Sequence, residues 1–287
     1  MTAYRFCRTD DMALLVAAYE ACRGPEDDAV PALDLPGFKV LVRELDLWCS
    51  SCMVAFEGRE PVGVLLGAKR ATSTLVYGLR VTPAHRRKGH GRHLLTSLGQ
   101  KLAILGPSLM VAEVPADRAA ARGVFAACGY RLEGDLRDWR RPANGAERAF
   151  RAPGEGLSSL SFSELRDAGA LHPLAAPWVR DLPALEKRAE RLAGLALHSP
   201  ERLEAWALFE RRTAPEPWSV LRLRCEPGAL GPAGLALVVE EVAREAGASD
   251  LLFERASAGE LSSEDLQALG FSPGAEHFLF TSEAKAA

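Results

Sequence analysis

Short apolar and polar alternations, interrupted by helical stretches, run through the first 140 residues and predict a definite order of elements. Residues 4–7 read as a strand, and Thr9, Asp10 and Asp11 then offer N-cap oxygens to a helix carrying Met12, Leu15, Val16 and Tyr19 on its apolar face. A second helix is expected over 38–47. Strands at 51–56 and 61–68 flank the turn Glu57-Gly58-Arg59-Glu60, and a third strand follows at 72–81. Leu94, Leu98, Leu102 and Leu105 fall at helical spacing, stopped by Gly106-Pro107. A buried strand at 109–114, a helix at 118–128 closed by Gly129, and short strands at 130–133 and 136–139 complete the series.

The C-terminal half repeats that order. Strands are expected at 192–197, 203–210 and 219–225, then a loop, a helix over 235–246, a strand at 250–253 and a helix at 263–269 before Gly270-Phe271. From Pro227 to Gly270 is 43 positions, against 46 from Pro83 to Gly129, a spacing that points to an internal duplication. Between the halves, residues 141–159 concentrate Pro, Gly, Ser and Ala and read as a linker. The expected domains are therefore 1–142 and 160–287, joined by 143–159.

Composition narrows the classes. A chain of 287 residues that is 48% hydrophobic has material for two cores. Its net charge of −3 lacks the concentrated basic face of a nucleic-acid binder, and no apolar run reaches the ~20 residues that cross a bilayer. With no apolar stretch near Met1, a cytoplasmic location is expected, without nucleic-acid or membrane partners. Six scattered cysteines suggest free thiols, and Cys49-Ser50-Ser51-Cys52 has no second pair with which to build a metal site.

Chemistry concentrates after the third strand, in Val81-Thr82-Pro83-Ala84-His85-Arg86-Arg87-Lys88-Gly89-His90-Gly91-Arg92. Gly89 and Gly91 give the backbone freedom to converge its N–H groups at a helix start, and Arg86, Arg87, Lys88 and Arg92 suit a diphosphate. The Walker and dinucleotide-binding patterns are both absent. The Arg86-x-x-Gly89-x-Gly91 pattern behind a strand ending in Val-x-Pro resembles motif A of the GNAT superfamily of acyl-CoA-dependent N-acyltransferases. Residues 113–130 likewise resemble a segment of its ribosomal-protein alanine acetyltransferases.

That resemblance implies an α/β fold of two tandem GNAT-like domains, each a mixed, mostly antiparallel sheet flanked by helices. It also implies acetyl-CoA as co-substrate, its pyrophosphate on Arg86, Arg87, Lys88, Gly89, His90, Gly91 and Arg92, and its pantetheine along Leu79 and Val81. Glu113 falls where those enzymes place a general base. The tyrosine they use as acid is Phe125 here and their asparagine is Arg118, leaving Tyr77, Cys128 and Tyr130 as substitutes, of which Tyr77 is the expected site residue. The second half has no basic residue between Cys225 and Val242, so it is expected to be a degenerate copy.

The expected activity is transfer of acetyl to a primary amine, either a small molecule or a peptide N-terminus, by direct attack. A non-catalytic acyl-CoA sensor is the alternative raised by Phe125 and Arg118. The acidic segment 22–37, with Glu26, Asp27, Asp28 and Asp34, is expected to attract a cationic acceptor.

Overall fold

The computed structural model describes residues 2–28, 30–143, 156–171, 176–199, 202–227 and 231–285. They form two compact units, residues 1–134 with 278–287, and residues 135–277. Most of the expected linker lies outside the described residues, but its last three residues already belong to a strand.

The first unit contains β1 (Thr2–Phe6), α1 (Met12–Ala21), α2 (Leu35–Leu45), β2 (Met53–Glu57), β3 (Glu60–Lys69), β4 (Ser73–Val81), α3 (His90–Leu105), β5 (Leu109–Pro115), α4 (Ala119–Ala127) and the start of β6 (Arg131–Arg141). Asp34 caps α2, its carboxylate accepting from the Gly37 amide at 2.7 Å, which starts that helix three residues before the expected position. The two short strands expected after Gly129 are one continuous strand.

Within this unit the sheet runs β1-β2-β3-β4-β5, then residues 278–283 of a C-terminal strand β12 (Ser272–Glu283), then β6. The expected domain limits assigned 278–287 to the second half. Packing returns them to the first, because Phe280 is buried in its core, stacked on Phe125 with centroids 6.1 Å apart.

Alternation sorts the sheet's two faces. Met53, Leu65, Val76, Met110, Ala112 and Val114 share a core with Leu94, Leu98 and Leu102 of α3 and Phe125 of α4. The alternate residues Val54, Val64, Leu66 and Leu75 are buried on the opposite face, where α1 packs on β3.

The second unit repeats the plan with β7 (Leu157–Ser161), α5 (Phe162–Asp167), α6 (Leu182–Glu186), β8 (Leu192–His198), β9 (Leu203–Glu210), β10 (Trp218–Cys225), α7 (Gly231–Ala246), β11 (Leu251–Ser257) and α8 (Ser263–Ala268). Its sheet runs β7-β8-β9-β10-β11, with residues 135–141 of β6 antiparallel to β11 through Leu251↔Arg141 and Phe253↔Trp139. Both units thus mix one parallel pair with antiparallel strands, the α/β class the sequence predicts. Among the described residues no helix is long and apolar enough to cross a membrane.

Candidate functional site

In the first unit, β4 and β5 run parallel only for Ser73↔Leu109, Thr74↔Met110 and Leu75↔Val111. Beyond Leu75 the two strands part. The cause is local: in the β3–β4 ladder Leu66 faces Gly78 while Gly67 faces Val76, so Tyr77 is an extra, bulged residue that turns β4 away. The parting leaves the edge of β4 around Leu79 and Val81 without a β5 partner.

At the far end of that edge, a 3-10 turn, Pro83–His85, leads into the loop before α3. Gly89 is the N-cap of α3 at φ +89°, the left-handed region where glycine is unstrained. The first helical return bond is His93 N–H to the Gly89 carbonyl, 2.9 Å, so the amides of His90, Gly91 and Arg92 precede the helical ladder and point outward. Arg87 holds φ +64°, which costs a non-glycine residue about 1 kcal/mol.

The loop's charges divide into two groups. Arg87, Lys88 and Arg92 are exposed and make no ion pair among the described residues. Arg86 instead donates to the Val81 carbonyl at 3.0 Å and pairs with Glu26. His85 and His90 serve the scaffold: His85 bridges Thr82 Oγ1 at 2.9 Å and Glu57 Oε2 at 2.6 Å, and buried His90 meets the Tyr4 hydroxyl at 2.6 Å. Burial lowers the His90 pKa and the nearby His85 and Lys88 add to this, so its ring is held neutral at pH 7.

The acidic segment 22–37 has its own partners. Asp27 is buried, accepts from the Gly24 amide at 3.2 Å, and meets Arg80 at 3.4 Å and Arg118 at 3.5 Å. Glu26 lies against Arg86 and 3.8 Å from Arg118. Asp28 and the helix-capping Asp34 are exposed without an ion pair among the described residues. Much of the expected attraction for a cationic acceptor is therefore neutralised internally, and Arg118 is explained as a member of that network.

Glu113 is half-buried on β5, on the face opposite Met110, Ala112 and Val114. Three other positions singled out in the sequence lie on the α3/α4 face. Phe125 is core, edge-on to Tyr130 at 5.0 Å. The Tyr130 hydroxyl donates to Met110 Sδ at 3.7 Å, and burial pushes its pKa far up. Burial also raises the Cys128 thiol. Neither group has access to the face where Glu113 stands. Cys49 opens a 3-10 turn before β2 and Cys52 follows it in extended conformation, both buried, and all six cysteines are unpaired.

A basic glycine loop between a strand and a helix start is the arrangement the sequence motif implies, and comparison with known proteins agrees. Residues 16–130 match the acetyltransferase (GNAT) family model. Residues 16–130 form a GNAT domain.

The GNAT-like fold extends over the whole chain. A GCN5-related N-acetyltransferase from Sphaerobacter thermophilus superposes with a TM-score of 0.69 at 16% identity, covering 100% of this chain and 96% of that one. A tandem GNAT protein from the clavulanic acid biosynthesis pathway gives 0.66 at 16% identity, covering 100% of both chains. A putative acetyltransferase from Pyrococcus horikoshii gives 0.59 at 15% identity, over 99% and 90%. No curated protein matches by sequence. GNAT enzymes use acyl-CoA as co-substrate, and the exposed cations and outward amides before α3 fit a diphosphate.

The second GNAT-like unit has the same parting. β10 and β11 pair over Trp218↔Leu251 to Val220↔Phe253, and Leu221 is the bulge. Here an arginine fills the space. Arg180, only 1% exposed, donates to the Leu221 carbonyl on β10 at 2.8 Å and to the Glu254 and Arg255 carbonyls on β11 at 2.7 and 3.1 Å. Its remaining N–H groups grip Glu260 at 2.9 and 2.8 Å, and Arg222 joins at 3.0 Å. All five guanidinium donors are used within the protein. Sequence reasoning missed Arg180, whose only local signal is a basic residue in an apolar surrounding.

Proposed function

We propose that the first unit transfers an acetyl group from acetyl-CoA to a primary amine, on a small molecule or a protein N-terminus, by direct attack. The observation that carries this is the separation of β4 from β5 beyond Leu75, with free cations at one end and a carboxylate, Glu113, on the wall. Acetyl-CoA supplies an activated thioester carbonyl. The amides at 89–92 with Arg87, Lys88 and Arg92 hold its diphosphate, and the β4 edge at Leu79 and Val81 holds its pantetheine amides. Glu113 takes the proton of the acceptor amine, and Tyr77 at the bulge borders the same opening.

The second unit offers no equivalent site, because Arg180 occupies its parting and its loop lacks basic residues. One cofactor per chain is expected. Calorimetric titration with acetyl-CoA tests this, alongside a chain carrying Lys88→Glu and Arg92→Glu, both exposed positions that leave the fold intact. One-site binding weakened more than tenfold by the double substitution supports the proposal. Binding without thiol release on addition of amines would favour the acyl-CoA sensor, a reading that the burial of Phe125 where an acid is expected keeps in view.

A further inference from the structure

We propose that Tyr19 is a catalytic residue of this site, donating a hydrogen bond from its phenol to the sulfur of the thioester as the thiolate leaves. This rests on the acyltransferase proposal above.

Tyr19 lies near the end of α1 with its ring laid on the backbone of β4. A Cβ at Gly78 would come within 2.8 Å of Tyr19 Cε2 and 2.9 Å of its hydroxyl oxygen, so glycine at 78 is what admits the ring. Gly78 directly follows the bulge at Tyr77 and is three residues past the last β4–β5 pair. The hydroxyl therefore stands where β4 has just left β5. Gly78 pairs with Leu66, whose face is that of α1, and β5 alternation puts Glu113 on the same face.

The ring is clamped. The Arg80 guanidinium lies 3.6 Å from its centroid and donates to the Tyr19 carbonyl at 3.0 Å, while Asp27 anchors Arg80 from the other side. The hydroxyl itself has no hydrogen-bond partner among the described residues. Burial raises its pKa to about 12, so it remains a neutral donor across the physiological range.

Position selects the sulfur. With pantetheine against residues 79–81 and the acyl carbon toward the last pair at Leu75, the sulfur that joins them falls level with residues 77 and 78. In the transfer, the amine lone pair forms the C–N bond and the C–S bond breaks with its electron pair on sulfur. The ammonium proton passes to Glu113 and then to solvent. Tyr19 keeps its proton, stabilising the thiolate until solvent protonates it, a role Phe125, Tyr130 and Cys128 on the other face cannot take.

The test uses the full chain with acetyl-CoA and hydroxylamine, a small nucleophile that needs no acceptor pocket, and follows thiol release. Tyr19→Phe is expected to keep the wild-type melting temperature and an acetyl-CoA Kd within twofold, while kcat falls about 10- to 100-fold, the loss of one hydrogen bond to a charged group. A wild-type kcat in Tyr19→Phe overturns the inference, as does a loss seen only in Tyr77→Phe. Acetyl-CoA binding without thiol release by the unaltered chain overturns the acyltransferase proposal, and this one with it.

Discussion

Arg86 and Glu26 form a bridge between the glycine loop and the 3-10 turn after α1, with Nη1 3.2 Å from Oε2 and Nη2 2.5 Å from Oε1. Both side chains are more than one-third exposed, at 38% and 37%, so the pair contributes only about 0–1 kcal/mol to stability. Its effect is on where the guanidinium rests. Glu26→Gln is expected to shift the melting temperature by less than about 3 °C and to tighten acetyl-CoA binding several-fold, as Arg86 joins the three free cations. Unchanged affinity by calorimetry would exclude Arg86 from the cofactor contacts.

Asp27 and Asp28 are neighbours with opposite roles. Removing the Asp27 carboxylate leaves Arg80 and Arg118 short of a partner, and Asp27→Ala is expected to cost about 3 kcal/mol. Exposed Asp28→Ala is expected to change stability by no more than about 0.5 kcal/mol. Denaturant titrations of the two variants check the contrast, and equal losses would contradict it.

The Arg180–Glu260 pair gives the second unit a defined acid limit. Burial alone would raise the Glu260 pKa, but the Arg180 bonds and charge, the Ser257 amide and Arg222 together outweigh it and hold it below the usual carboxylate value. A carboxylate depressed in the folded state stabilises fully above its unfolded pKa, near 4.5, and loses that contribution as pH falls through the folded value. Arg180→Met removes the main compensation from a side chain 4% exposed. It is expected to cost about 3–5 kcal/mol at pH 7, a loss that shrinks as pH falls, because Glu260 without its main cation is left to the upward push of burial and takes up a proton more readily than in the unfolded chain. Denaturant titrations at pH 7 and pH 5 check this, and an equal loss at both would show that Arg222 suffices to keep Glu260 ionised.

How legible the protein was in its sequence depended on the distance over which each signal acts. Arg86, Gly89 and Gly91 are close neighbours whose spacing and glycine torsions are local, so the loop, the strand before it and the helix after it were readable. The parting of β4 and β5 left no local pattern, because the bulge at Tyr77 is a property of pairing with β3. Tyr19 looked like one more apolar-face residue of α1, and nothing near it in sequence announces its contact with Gly78. The acidic turn was visible, but Glu26 and Asp27 meet partners at 80, 86 and 118, and charge matching over such separations leaves no local pattern. The Phe125 departure was singled out, and the tertiary partner Phe280 that accounts for its burial was not.

Phe280 belongs to the core that also holds Phe125, Tyr130 and Met110. Phe280→Ala is expected to destabilise the first unit by about 3–5 kcal/mol through the cavity it leaves and to weaken acetyl-CoA binding in step, as read by thermal melting with and without cofactor. A variant with unchanged cofactor affinity and melting temperature would mean that the aromatic stack closes without it.

The place of Phe280 also sets an order of events during synthesis. Its partners Phe125 and Tyr130 leave the ribosome roughly 150 residues earlier, and every residue of the second unit is made in between. The first unit's sheet lacks the strand between β5 and β6 for all that time, leaving two backbone edges and an unfilled aromatic core open to other chains. The first unit is thus encoded first and completed last, and its nascent form is the one that most needs protection from aggregation.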